Sequence, residues 1–202
     1  MRADTVNATV DVLVTGHVEE TEAGSSVHPT ISLVCDGDLV VVVDPGILSE
    51  QALLTEALRG HGLGLDEVTH VFVTHHHVDH TSNIGMFARA VVVDVDSLYD
   101  GSLWLEHDGD GHALSDSVRV IETPGHAAEC AALVVDTDDG TVVLTHAWWF
   151  AEMTPVQDPL AWDQAALERS RARILEIADI VVPGHGAAFR PAGQREHAEG
   201  TS

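Results

Sequence analysis

Lysine is missing from the 202 residues. Nine arginines carry the basic side-chain charge against 33 Asp and Glu, a formal net charge of −24. Phosphate backbones are held through Lys and Arg, so this balance disfavours nucleic acid as a partner. It also sets the folded chain against itself at low ionic strength and suits a salt-adapted setting that screens the charges. Cysteine is nearly absent. Cys35 and Cys130 are isolated residues rather than a disulfide framework, which points to free thiols in a reducing cytoplasm, each packing as a small hydrophobe. No apolar run reaches transmembrane length and no basic-then-apolar leader opens the sequence, so neither membrane insertion nor export is expected. Aromatics make up only 4%, which sets apart the consecutive Trp148, Trp149 and Phe150 as core or as a pocket wall. With 45% hydrophobic residues, the chain reads as a single globular domain over 1–191, followed by a polar tail at 192–202.

Histidine is plentiful by contrast, and it is clustered. Val71-Phe72-Val73 reads as a buried strand that runs into Thr74-His75-His76-His77-Val78-Asp79-His80. Imidazoles and carboxylates crowded at one strand end are costly to bury without partners, and a divalent cation satisfies them together. Zinc is the first choice for such a nitrogen-rich set; iron and manganese also fit.

Further strands are expected at 9–16, 30–35, 39–44, 90–94, 118–123, 131–136, 141–145 and 180–182. Helices are expected at 50–59, capped by Ser49 and stopped at Gly60, at 83–88, and at 158–178, capped by Asp158 with Pro159 in its first turn. The polar stretches 17–29 and 96–116 read as loops bordering a site, with His17 and His28 solvated. Arg169, Arg171 and Arg173 read as a solvated helix face. Strands and helices interspersed, with polar clusters at strand ends, describe an α/β layered domain.

The spacing His75-x-His77-x-Asp79-His80 resembles the metal-binding motif of the metallo-β-lactamase superfamily, and three more motifs follow the same order. Asp44-Pro45-Gly46 resembles its Asp-x-Gly turn, Thr123-Pro124-Gly125-His126 its third histidine motif, and Pro183-Gly184-His185-Gly186 its last. Within the superfamily, Glu168–Arg171 through Phe189-Arg190 are most similar to the small type-one metallo-β-lactamase-domain-containing proteins. The resemblance implies a four-layer αββα sandwich with metals at one edge between the two sheets. It implies one site of His75, His77 and His126, and a second of Asp79, His80 and His185. It also implies hydrolysis of a small ester, thioester or lactone by metal-bound hydroxide, with Asp79 as the catalytic carboxylate that orients the nucleophile.

Two positions depart from the family. Ser82 stands where glycine is usual, and His146 stands where an aspartate normally bridges both metals. A neutral imidazole has one lone pair and cannot bridge as a carboxylate does. His146 is therefore a terminal ligand to one metal, the mark of a one-metal site, or the mark of an impaired one. RNA phosphodiester hydrolysis and non-catalytic metal binding are the alternative readings. A glutathione thioester is disfavoured, because the helical segment used for it by glyoxalase II-like members has no counterpart after residue 191.

Overall fold

The computed structural model describes residues 8–151 and 156–191; the tail expected at 192–202 lies outside them. In chain order the described elements are β1 (Thr9–Val14), β2 (His17–Thr21), β3 (Gly24–His28), β4 (Ile31–Asp36), β5 (Leu39–Val43), α1 (Ala52–Gly60), β6 (His70–Phe72), α2 (Val78–Thr81), β7 (Val91–Val93), β8 (Ser97–Asp100), β9 (Leu103–Glu106), β10 (Val118–Glu122), β11 (Ala131–Thr137), β12 (Gly140–Thr145), α3 (Gln164–Ile177) and β13 (Ile180–Val182). One sheet has the order β1-β4-β5-β6-β7-β8-β9, a second β10-β11-β12-β13, and β2-β3 stand as a separate hairpin.

Strand alternation builds the layers. Val41 and Val43 of β5 turn into the core between the sheets, where they meet Leu133 of β11 and Leu144 of β12. Val42, between them, faces Leu54 and Leu58 of α1 on the outside of the first sheet. On the second sheet Val134 and Val143 face outward onto Leu167 and Ile174 of α3. Both sheets are thus apolar on both faces, and each fully buried Val or Leu is worth about 1.5–3 kcal/mol. The result is the four-layer αββα order. No helix among the described residues is long and apolar enough to cross a membrane.

Strand direction then gathers the chemistry. β5 and β6 run parallel, as do β12 and β13. β10 shares their direction because it is antiparallel to β11, which is antiparallel to β12. The carboxyl ends of β5, β6, β10, β12 and β13 lead into Asp44, the His75–His80 loop, His126, His146 and His185.

Several local expectations are corrected. Residues 17–28 form the β2–β3 hairpin rather than a loop, paired from His17↔His28 to Thr21↔Gly24. Its two valines face each other across the ladder while His, Glu, Ser, Thr and Gly take the remaining positions, so the stretch carries too little apolar signal to read as strands. Within 96–116, β8 and β9 extend the first sheet, turned by Gly101 at φ 59°. Helix α1 begins at Ala52 after Gln51, and Ser49 does not cap it. The expected helix at 83–88 is a single 3₁₀ turn, Ile84–Met86. Helix α3 begins at Gln164 and is capped by Asp163, whose carboxylate accepts from the amides of Ala165 and Ala166. Asp158 is left free for other work.

Candidate metal centre

The Asp44-Pro45-Gly46 turn is the foundation of the cluster. Asp44 takes φ 50°, the one positive value among described non-glycine residues, a region Asp tolerates. Its buried carboxylate accepts three hydrogen bonds: Oδ1 from the Thr74 amide (2.7 Å), Oδ2 from the Thr74 hydroxyl (2.7 Å) and from His80 Nδ1 (2.9 Å). The Thr74 hydroxyl, its proton committed to Asp44, accepts from His75 Nδ1 at 3.1 Å. Gly46 is needed because a Cβ there would overlap the backbone of Asp79. Ser82, the position where glycine is usual in the family, sits at φ −58° and ψ −26° at the end of α2. No left-handed conformation is required there, and its hydroxyl donates to the Val78 carbonyl.

His126 is anchored from an unexpected direction. Its Nδ1 donates to Asp158 Oδ2 at 2.6 Å, and Trp149 Nε1 donates to the same oxygen at 3.1 Å. Asp158 is held in turn by the Leu160 amide on Oδ1. The segment before α3 therefore crosses the site instead of joining the helix, with the amides of Trp162 and Asp163 bonded to the carbonyls of His126 and Gly125. His185 Nδ1 donates to the His28 carbonyl at 2.9 Å, which fastens the β2–β3 hairpin to the last motif. Each of His75, His80, His126 and His185 thus spends one ring nitrogen on an oxygen acceptor and turns the other inward. That arrangement fixes tautomer and ring angle as metal-ligating histidines require.

Three overlapping groups have ligand atoms within 4.8 Å of one another: His75/His77/His126, Asp79/His80/His185 and His75/His80/His146. The first two are the sets implied by the sequence resemblance; the third is new. His146 is buried at the centre, its ring 4.3 Å from His75, 4.7 Å from His80, 4.2 Å from His126 and 5.0 Å from His185. Burial and the surrounding imidazoles push His75 and His146 well below the usual histidine range. Burial also lowers His185, to about 4. For His80, burial pulls downward but is outweighed by Asp44 and Asp79, which raise it to about 9. Asp79 goes the other way. Burial would raise it, but the His80 ring 3.3 Å away and the charge of His185 take it to about 2. The donor set fits a divalent ion: His75 Nε2, His80 Nε2 and His146 Nδ1 are buried and have no hydrogen-bond partner.

Other candidates fall outside the cluster. Cys130 packs as a buried thiol, pushed up to about 12 chiefly by burial, and accepts from the Ala127 amide. His76 bonds Asp94 at 3.1 Å on the surface. His107 and His112 stack on each other at 4.0 Å. Trp148 belongs to the core under α3, whereas Trp149 lines the cavity beside the histidines. Arg171 is no solvated helix residue. It donates to the carbonyls of Ala147 (2.7 Å) and Val156 (2.9 Å) and lies 5.8 Å from the Trp148 ring centre.

Residues 27–113 match the sequence profile of the Metallo-beta-lactamase superfamily. Metallo-beta-lactamase domain-containing protein 1 of Xenopus laevis is 36% identical over 162 residues, covering 76% of this chain and 69% of that protein. The Homo sapiens protein of the same name is 38% identical over 159 residues, and the match spans 74% of this chain but only 59% of the human one. A crystal structure described as a putative metallo-beta-lactamase from Thermotoga maritima superposes with a TM-score of 0.72 at 22% identity, covering 92% of this chain and 100% of that one. An N-acyl homoserine lactone hydrolase structure superposes at 0.66 and 15% identity over 90% of this chain and 93% of its own, a likeness of fold. With its motifs in family order, its four layers and this similarity, the chain belongs to the metallo-β-lactamase superfamily.

Proposed function

We propose that the protein is a zinc-dependent hydrolase of an uncharged ester, thioester or lactone with an apolar acyl group. The observation that carries this is the cavity of about 640 Å³ that opens directly onto His77, Asp79, His126, His146 and His185. Its remaining wall is mainly aliphatic and aromatic, with Val18 and Val27 from the hairpin facing Ile47, Val78, Trp149 and Leu160. An apolar wall with a few polar groups converging at one end is the usual build of a small-molecule site. Glu20 and Ser25 stand in the same wall, the serine donating to the glutamate at 2.9 Å. No arginine lines the cavity among the described residues. A carboxylate there repels an anionic substrate, which disfavours RNA and agrees with the net charge of −24.

Zinc would be held within the cluster that His75, His77, Asp79, His80, His126, His146 and His185 form. Zinc bound among them supplies Lewis acidity, which polarises a carbonyl and makes water acidic enough to attack at neutral pH. The protein supplies the rest. Asp79 faces the cavity as a carboxylate; held near 2, it is a weak base whose part is to orient a water and pass its proton on. Val18, Val27 and Trp149 seat the acyl chain and exclude bulk water from the scissile carbon. The lactone-hydrolysing fold neighbour supports an acyl substrate over a phosphodiester. A panel of p-nitrophenyl acetate, p-nitrophenyl hexanoate, a thioester, a lactone and bis-p-nitrophenyl phosphate tests the reading on zinc-loaded protein. Turnover of the acyl substrates, faster for hexanoate than acetate, is expected. Turnover of the phosphodiester alone contradicts it in favour of a nuclease, and no turnover at all in favour of a non-catalytic metal binder.

A further inference from the structure

The geometry points to a single central metal site made of His75 Nε2, His80 Nε2 and His146 Nδ1, occupied by one divalent ion in place of a two-metal arrangement. The inference rests on the reading that the cluster binds a divalent ion, and it says where and how many.

Proton bookkeeping around the three rings leads there. The Thr74 hydroxyl donates to Asp44, so it can only accept from His75 Nδ1; the lone pair of His75 is then on Nε2. The carboxylate of Asp44 can only accept from His80 Nδ1, which leaves Nε2 of His80 as its ligand nitrogen. The His28 carbonyl can only accept from His185 Nδ1, so Nε2 of His185 is an acceptor. His146 Nε2 lies 3.0 Å from it and must be the donor, which puts the lone pair of His146 on Nδ1. These three inward nitrogens, His75 Nε2, His80 Nε2 and His146 Nδ1, are the imidazole atoms that are buried and without a hydrogen-bond partner among the described residues. His80 Nε2 lies 3.3 Å from Asp79 Oδ2 without making a hydrogen bond. The three residues are buried and bring ligand atoms within 4.8 Å of one another. Buried ring nitrogens left without a hydrogen-bond partner cost free energy, and a cation held among them removes that cost. Three imidazoles with a position left open form an ordinary zinc site.

The other nitrogens are already served. His146 Nε2 is spent on His185, and His77 Nδ1 lies 3.1 Å from His126 Nε2, whose own Nδ1 is bound to Asp158. Each imidazole has one inward lone pair. An ion at the centre therefore uses His75 and His80 and takes one ligand away from each of the two sets implied by the sequence resemblance. One central ion and a metal pair are mutually exclusive. With a carboxylate at position 146 a pair could share that residue; with an imidazole it cannot.

Titration of the metal-free full chain with Co²⁺, followed by its ligand-field absorption and by calorimetry, and repeated with Zn²⁺, tests this. One tight equivalent is expected, with the absorption of a four- or five-coordinate nitrogen-rich site. His77→Ala should keep that equivalent, whereas His146→Ala should weaken it at least about 10-fold, the lower end for loss of ligand support. His146→Asp restores a shareable carboxylate and should raise the stoichiometry from one to two, a gain that misfolding cannot mimic. Two tight equivalents in the wild type overturn the central site while leaving metal binding intact. So does one equivalent that is lost in His77→Ala and kept in His146→Ala. No binding by the folded wild type overturns both the central site and the metal-dependent reading.

Discussion

Asp44→Asn is the substitution in which the structure exposes a cost with the fewest side effects. Asn tolerates the positive φ of position 44 as Asp does, so the backbone is not newly strained. The volume is unchanged. What changes is that three donors, the Thr74 amide, the Thr74 hydroxyl and His80 Nδ1, converge on two carboxylate oxygens. An amide offers one oxygen, so in either flip its NH₂ opposes at least one of those donors. A buried group left opposed costs about 1–3 kcal/mol, which should appear as a lower melting temperature of the metal-free protein. The metal centre should suffer separately, because Asp44 orients His80 directly and His75 through Thr74. Loss of such outer support typically costs 10–100-fold in metal affinity, or about 1.4–2.7 kcal/mol. Competition against a chromophoric chelator measures the affinity, and circular dichroism the melting. A variant that melts with the wild type and binds zinc equally well would show that Asp44 does not organise the cluster.

Three other outcomes follow from the same geometry. Gly184→Ala places a Cβ against the ring of His146; overpacking of this kind costs about 1–3 kcal/mol, and zinc affinity should fall with stability, both read by calorimetry. In the metal-free protein His80 is raised to about 9, above its ordinary value of about 6.5. Its contribution to stability is therefore full below about 6.5 and lost as pH rises through 9, while zinc must displace its proton, so affinity should climb with pH up to about 9 and then level; titrations in buffers of different ionisation enthalpy count the proton released. Finally, a charge of −24 with no lysine predicts a melting temperature that rises steeply from dilute buffer to molar salt, and a salt-independent melt removes that reading.

The histidine-rich edge was legible because most of its residues are local in sequence. A β-branched strand that runs into His75–His80 announces a strand end with ligands, and the order of the later motifs located His126, His146 and His185. The supports were less visible. Asp158 is 32 residues from His126 and precedes an apolar stripe, so helix-capping logic claimed it, although the true cap was Asp163. The β2–β3 hairpin hid behind Glu and Ser because only Val18 and Val27 show its inward side. Arg171 looked like one charge among several on a helix, and its two carbonyl partners lie 24 and 15 residues away. The position of His146 could be counted from the motifs. Which of its nitrogens is free could not, since that depends on the His28 carbonyl reached through His185.

The most direct test of the whole account is reconstitution. The 202-residue chain stripped with a chelator should hydrolyse p-nitrophenyl hexanoate no faster than buffer. Activity should return in proportion to added zinc and reach its plateau when the metal centre is full. Full activity in the stripped protein, or none in the fully loaded one, would contradict the claim that this His and Asp cluster is a hydrolytic metal centre.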